Sequence, residues 1–392
     1  MKSGWTIEQL GEIATINYGY TDSAKSEAVG PRFLRITDIQ NENVDWDAVP
    51  FCSIDDEGLN KYRLRSGDIV FARTGATTGK SFLVQDPPES VFASYLIRLR
   101  LNDRRFLPQF VSYFLQTPQY WQAIRDGSSG SAQGGFNATK LGALSLPAPP
   151  VLEQKRIVGI LDEAFEGIAV AKANAEKNLQ NARALFENHL QAVLTQHRPS
   201  WVEKPLGEVF ATSTGTTPPK NNSDFYGEFM PLVKPPELCD APIDSALDNI
   251  SEAGSEVARI LPPQSILVSC IGNLGKIGIN TVPVAFNQQI NAILPDERKA
   301  IPEFIFLQAI SSKFKDQLES LASGTTVPIV NKSKFNSVRI ALPPLSEQKT
   351  IAAQLNSLRE LAKHLESIYQ EKLTALDKLK KSLLHEAFTG KL

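Results

Sequence analysis

The chain has 392 residues, a net charge of -2, and 42% hydrophobic against 21% charged content, which fits folded domains and excludes a disordered chain. No apolar run is long enough to cross a bilayer and no apolar stretch follows the N-terminal lysine, so no membrane partner and no secretory leader are expected; the cytoplasm is the expected compartment. Cys52, Cys239 and Cys270 are scattered, with neither a disulfide framework nor zinc-ligand spacing, and the mild acidity means that a nucleic-acid binder must sort its cations onto one face.

Read in chain order, the sequence is written twice. Residues 5–13 (WTIEQLGEI) return as 201–209 (WVEKPLGEV), and residues 65–80 (RSGDIVFARTGATTGK) return more loosely as 261–276 (LPPQSILVSCIGNLGK). Within these, 68–71 and 265–268 read as strands, being short and rich in β-branched and aromatic residues. The Phe-rich stretches 106–121 and 304–321 each read as a helix. Ser129, Gly130, Asn137 and Lys140 match Ser323, Gly324, Asn331 and Lys334. Residues 146–157 (LPAPPVLEQKRI) return at 342–351 (LPPLSEQKTI). The offset is 196 or 197 early and 194 from Pro108 onward, as Trp5 with Trp201 and Pro108 with Pro302 show.

Each half then ends in a proline-free segment, 152–196 and 346–388. The second carries Ile351, Leu355, Leu358, Ala362, Leu365, Tyr369, Leu376, Leu379 and Leu383 near heptad spacing. The first carries Ile157, Leu161, Ala164, Ile168, Ala171, Ala175, Leu179, Ala182 and Phe186. Ser346 reads as the N-cap of the second helix, with Glu347 in its first turn. Gly159, Gly167 and the Asn-rich stretch 174–181 should make the first helix the looser one. At about 1.5 Å per residue each helix is on the order of 60 Å long and needs a partner for its apolar stripe; the natural partner is its own repeat, antiparallel. The expected fold is α+β. It has two similar mixed heads, 1–150 and 199–345, and two long spacer helices, 151–198 and 346–392 with the tail, pairing as an antiparallel coiled coil.

Several short motifs suggest catalysis and fail on their details. Residues 75–81 (GATTGKS) approach a phosphate-binding loop, but three residues separate the glycines where four are required, and the copy GNLGKI lacks the hydroxyl residue. A tight glycine turn presenting Lys and Thr is the better reading. Residues 234–237 (KPPE) are close to the Pro-Pro signature of adenine methyltransferases, but Lys and Glu stand where an amine acceptor and a stacking aromatic are needed. Glu153-Gln154-Lys155 and Glu347-Gln348-Lys349 echo a nuclease dyad and read instead as helix starts. His189, His197, His364 and His385 all lie in or just past the helical segments, so no triad or metal site is expected in the heads.

The phrases LPPLSEQKTIAAQL, LPAPPVLEQKRI and KKSLLHEAFTGKL resemble the repeated helical regions of type I restriction-modification specificity subunits. RFLRITDI, SGDIVFARTGATTGK and SGTTVPIVNKSKF resemble that family's target-recognition domains, and the likeness spans the whole chain in the family's order. The resemblance implies a non-catalytic DNA-reading scaffold. Each head would read one half of a gapped site in double-stranded DNA, and the helices would set the gap. Methyltransferase subunits, two of them, would dock on the helices and methylate an adenine in each half; restriction subunits could join. The chain itself would bind no cofactor, while S-adenosylmethionine, ATP and Mg would belong to the partners. The alternative is a two-headed coiled-coil adaptor or regulator that binds proteins, which the mild acidity favours.

Arg and Lys pair with guanine edges, Asn and Gln with adenine, and hydroxyls with phosphates. On that chemistry and repeat position, the candidate DNA contacts of the first head are Tyr18, Tyr20, Arg35, Arg73, Thr74, Thr77, Lys80, Gln133 and Asn137. Those of the second are Thr214, Thr216, Lys220, Lys234, Asn273, Lys276, Thr325, Thr326 and Lys332.

Overall fold

A computed structural model describes residues 4–40, 43–128, 135–196, 199–324 and 326–392. Candidates Gln133 and Thr325, and His197, lie outside the described residues. The packing divides the chain into two compact units, Met1–Ala175 with Glu371–Leu392, and Glu176–Gln370. Each unit therefore takes one mixed head together with part of both long helices, because the helix ends share the heads' apolar cores.

In the first unit an antiparallel sheet runs in the order Ala14–Tyr18, Leu96–Leu101, Ile69–Ala72, Ser81–Leu83. The Ile69–Ala72 strand is buried on both faces, so its residues alternate between two cores. Ile69 and Phe71 face a cluster with Phe110, Phe114 and Tyr120, while Val70 and Ala72 face one with Leu34, Leu64 and Phe92. The second unit repeats this with Ala211–Thr214, Ile290–Leu294, Ile266–Ser269 and Ile277–Asn280, and adds Ala241–Ile243 at the edge. There Ile266 and Val268 pack against Phe304 and Phe314, and Leu267 packs on the opposite side with Phe286. Each head is closed by its own ends. Thr6–Gln9 pairs with Ser145–Ala148 in the first, and Val202–Pro205 with Arg339–Leu342 in the second.

The stretch expected as one Phe-rich helix is broken in both units. It forms Pro108–Phe114 and Pro118–Ser128 in the first, and Pro302–Ile310 and Ser312–Leu321 in the second. Pro118 cannot continue a helical hydrogen-bond ladder, and the Thr117 hydroxyl accepts from the Tyr120 amide at 3.2 Å. In the second unit Ser311 caps the new helix by accepting from Phe314 at 3.4 Å.

The first long helix is Val151–Leu194 and the second is Leu345–Thr389. They pair with opposite direction: Lys172 meets Asp377 within the first unit, and Arg183 meets Glu366 within the second. The first helix runs unbroken through Gly159 and Gly167, where an added Cβ would meet nothing within 4 Å, so those glycines cost propensity and no packing. Two expectations for the second helix are corrected. Ser346 lies inside the helix, which starts directly after Pro343-Pro344, so it is not the N-cap. Leu379 is 47% exposed, because the buried stripe drifts across the helix face and passes through Lys380 instead. The Lys380 ammonium lies 5.1 Å from the centre of the Phe165 ring, where its stem is covered and its charge meets the π face.

Residues read only as helix starters do more. Gln154 is fully buried; its amide donates to Pro149 O at 2.9 Å and Arg105 O at 2.7 Å, and its oxygen accepts from Leu107 N at 3.0 Å. Gln348 makes the same bracket, to Pro343 O at 2.8 Å, Lys299 O at 3.3 Å and Ile301 N at 2.9 Å. In each unit one side chain thus ties the start of the long helix to the loop that leads into the head's helices, satisfying backbone groups that would otherwise be buried unpaired.

Candidate nucleic-acid interface

The candidates converge on one end of each sheet. In the first unit Tyr18, Leu96, Ala72 and Ser81 are strand ends that register side by side, as Tyr18 with Ile97, Ala72 with Leu96 and Phe71 with Ser81 show. In the second, Thr214 pairs with Asn291, Ser269 with Ile290 and Val268 with Ile277. The loops leaving these ends carry the polar residues, and two local structures build the rim of each.

The first is a recess. Strand Arg32–Leu34 runs parallel to Ser90–Phe92, and the last residues of Tyr226–Val233 run parallel to Val284–Phe286. After each, the chain turns through a short 3-10 helix, Ile36–Asp38 or Pro235–Glu237, capped by a cation. The Arg35 amide donates to Asp38 at 2.8 Å and the Lys234 amide to Glu237 at 3.0 Å. The Arg35 guanidinium also holds Asp38 through two bonds of 3.1 and 2.7 Å, which pushes its pKa above the ordinary value, and Lys234 is ion-paired with Asp248. Both cations therefore present an ion pair at the rim rather than a bare charge.

The opposite wall depends on a glycine. A Cβ at Gly19 would lie 2.2 Å from Ala93 O, and one at Gly215 would lie 2.1 Å from Asn287 O. Only glycine lets the backbone cross there. The crossing is fixed by Tyr20 N donating to Phe92 O at 2.8 Å, and Thr216 N to Phe286 O at 2.9 Å. The recess of the first unit is about 460 Å³, with Tyr20, Asp22, Arg35 and Tyr95 among its lining; that of the second is about 280 Å³, with Thr217, Lys220, Lys234 and Asp248. Tyr20 packs against Tyr62 with ring centres 5.4 Å apart and the rings tilted by 47°. Thr214 donates to Asn291 at 2.6 Å and the Thr216 hydroxyl accepts from Arg259 N at 2.9 Å, so both hydroxyls are engaged within the fold.

The second structure is the glycine turn with its polar companion loop. Gly75 and Gly79 have φ of +75° and +95°, and Gly272 and Gly275 have +77° and +70°, as a turn that leaves Lys and Thr on its outside requires. Thr74 precedes the short helix Gly75–Thr77; the Thr77 hydroxyl reaches Thr74 O at 3.4 Å, and Lys80 is exposed. In the second unit Asn273 is exposed at the turn tip and Lys276 is half-buried, its amide donating to the Ser269 hydroxyl at 3.0 Å. The companion loop returns against each turn: Phe136 N donates to Arg73 O at 2.9 Å, and Val330 N to Cys270 O at 2.8 Å. This brings Arg73, Tyr18 and Asn137 together. The Arg73 guanidinium sits 4.9 Å over the Tyr18 ring, and the Tyr18 hydroxyl accepts from Ala138 N at 3.1 Å. Asn137 spends its side-chain oxygen as the N-cap of Ala138–Gly142, accepting from Lys140 N at 2.8 Å. In the second unit Thr326 and Lys332 are exposed around the equivalent loop.

Sequence reasoning missed the loop between these two structures. Ser94 and Tyr95 in the first unit stand where Gln288 and Gln289 stand in the second. Tyr95 is 61% exposed, and its carbonyl accepts from Arg73 N at 3.2 Å, joining recess to turn. Gln288 accepts from the Thr217 hydroxyl at 2.7 Å, and Gln289 accepts from Asn287 at 2.9 Å. Comparison of the halves by shared letters discards these positions because they differ; the offset of 194 would have aligned them. Burial raises the Cys270 thiol to about 11, so it is protonated at neutral pH and is no nucleophile beside the turn.

The sequence matches the family model described as the type I restriction modification DNA specificity domain, over residues 2–180 and again over 199–374. It is 24% identical to the putative type I restriction enzyme MjaX specificity subunit of Methanocaldococcus jannaschii, covering 99% of this chain and 93% of that one. It is also 24% identical to the type I restriction enzyme HindI specificity subunit of Haemophilus influenzae, over 87% and 90%. In fold it is similar to a chain of a solved type I R-M system, with a TM-score of 0.81 at 19% identity over 100% and 99% of the two chains. A second structure, the HsdS subunit from Thermoanaerobacter tengcongensis, gives a TM-score of 0.61 at 18% identity over 100% and 98%. With two family matches on two equivalent heads, the chain belongs to the type I restriction modification DNA specificity family, as a DNA-sequence recognition subunit that is not itself an enzyme.

Proposed function

We propose that the chain reads a two-part, gapped sequence in double-stranded DNA. Each head reads one part through the rim at the end of its sheet, and the long helices measure the gap. The observation that carries this reading is the pair of equivalent rims, alike in backbone and different in side chains: Tyr20, Arg35 and Ser94-Tyr95 in one, Thr216, Lys234 and Gln288-Gln289 in the other. Equivalent frames with unlike polar groups suit two different base sequences. In this reading Lys80, Lys220, Lys276 and Lys332 contact phosphates, with Thr74, Thr77 and Thr326 beside them, and Tyr95, Asn273, Gln288 and Gln289 reach base edges. Phosphate contacts fix register and base contacts specify sequence.

Methyltransferase subunits, two per chain, dock on the long helices and act on an adenine in each part; restriction subunits join the same assembly in the cytoplasm. S-adenosylmethionine, ATP and Mg are held by those partners. The adaptor reading is set aside because the matched family is one of DNA specificity.

The test is to co-express the full chain with its methyltransferase subunits and map methylated adenines in host DNA at base resolution. A single two-part motif with a fixed gap, methylated on both strands, is expected. An assembled complex with active methyltransferase and no sequence-selective methylation would overturn the reading.

A further inference from the structure

The first unit contains a cleft of about 700 Å³ whose lining includes Lys80, Arg125, Lys172, Lys380 and Lys381 against a single carboxylate, Asp377. One wall is the glycine turn and the helix Pro118–Ser128; the other is the helix pair. The repeat allows the same place to be read in the second unit. Gly79 would touch Trp121 if it carried a Cβ, at 2.8 Å, and Gly275 would touch Lys315 at 3.2 Å, which fixes Trp121 and Lys315 as equivalent positions.

Of the five cations there only Lys80 is repeated, as Lys276. Arg125, Lys172 and Lys381 become Glu319, Glu366 and Glu187, and Lys380 becomes Phe186. Lys315 is ion-paired with Asp240 at 2.9 Å. Even the helix-to-helix ion pair is inverted. Lys172 and Asp377 of one pair correspond to Glu366 and Arg183 of the other, so each equivalent position carries the opposite charge. A chain of net charge -2 has thus gathered five cations around one cleft and placed carboxylates at three of the five equivalent positions of its other half, where only Lys276, the counterpart of Lys80, remains a cation. Side-by-side cations repel, so such a cluster is stabilised by an anionic occupant.

We propose that this cleft binds backbone phosphates of the DNA duplex, so that the electrostatic grip of the chain is concentrated in its first unit. The reading rests on the DNA-recognition function above. Continuity favours a duplex over an acidic protein segment: Lys80 belongs both to the cleft and to the glycine turn that carries Arg73, Thr74 and Thr77. Phosphate contacts carry no base information, so the cleft sets affinity and salt response but not the motif.

The test compares the assembled complex with an R125Q/K380Q/K381Q triple variant, measuring duplex affinity between about 50 and 300 mM salt, within the range where counterion release governs binding. Each lost phosphate contact lowers the slope of log affinity against log salt by about one, so a decrease of about two to three is expected, with the methylated motif unchanged. Because Lys380 also packs on Phe165, the exposed Lys381→Gln alone is measured alongside, with an expected decrease of about one. An unchanged slope in both variants would overturn the proposal. Loss of methyltransferase subunits from the complex would overturn it too, by making the cleft a protein seat. If the unaltered complex selects no sequence at all, it is the DNA-recognition reading that fails.

Discussion

The two units share their backbone devices and differ in their polar chemistry. Gly19 and Gly215 make the same crossing, Gln154 and Gln348 the same bracket, and Asn137 and Asn331 the same cap. Beneath the rim they diverge. The first sheet buries Arg98, whose guanidinium donates to Arg63 O at 3.0 Å and to Asn17 at 3.2 Å, and whose pKa burial lowers to about 10. Beside it Arg100 holds Asp68 through bonds of 2.6 and 2.7 Å. The second sheet places Ala292 and Leu294 at those positions, and Ser265 with Asn280 where Asp68 stood. Backbone geometry tolerates no substitute at a crossing or a bracket, whereas a strand interior accepts either an ion pair or an apolar side chain if it is filled and satisfied. The polar surface can therefore change while the frame persists.

If the brackets are truly equivalent, Gln154→Ala and Gln348→Ala should cost about the same, roughly 3 kcal/mol each, because each strands three backbone groups at a buried site. Hydrogen exchange followed in each unit separately measures this; a large loss in one and none in the other would break the equivalence. Gly19→Ala and Gly215→Ala should cost about 2–3 kcal/mol each through overpacking against a carbonyl that cannot withdraw, seen as lowered urea midpoints. The comparison sharpens at Asp68→Asn. Arg100 is 29% exposed, so losing its partner should cost about 2 kcal/mol, less than for a fully buried pair, and only in the first unit. Smallest in stability but most specific is Tyr95→Ala. Folding should change by less than about 0.5 kcal/mol at this exposed loop, while discrimination against single-base changes should relax by about tenfold in one half-site only. Equal relaxation in both halves would mean that the loop does not read bases locally.

Much of the frame was legible in the sequence. The repeat, the two long helices and the strands around Ile69 and Ile266 follow from periodicity that burial enforces, and the glycine turns follow from backbone positions that need positive φ. The breaks at Thr117-Pro118 and Ser311-Ser312 were hidden because apolar residues continue across them, so hydrophobic pattern alone reads one helix where capping makes two. The role of Gln154 was invisible because a buried amide's value lies in partners set by tertiary structure. At the rim, residue type did not show what each side chain was already doing within the fold: Arg35 is tied to Asp38 and Asn137 to Lys140 N. Tyr95 and Gln288 were overlooked because a repeat draws attention to what matches, and these equivalent positions differ.

The most direct test of two independent readers on one frame is to replace residues 199–345 by a second copy of 1–150, keep both long helices, and map methylated adenines made by the assembled complex. The account predicts a new motif in which the first half-site appears twice, once on each strand. An assembled, active complex that still methylated the original two-part motif would contradict it.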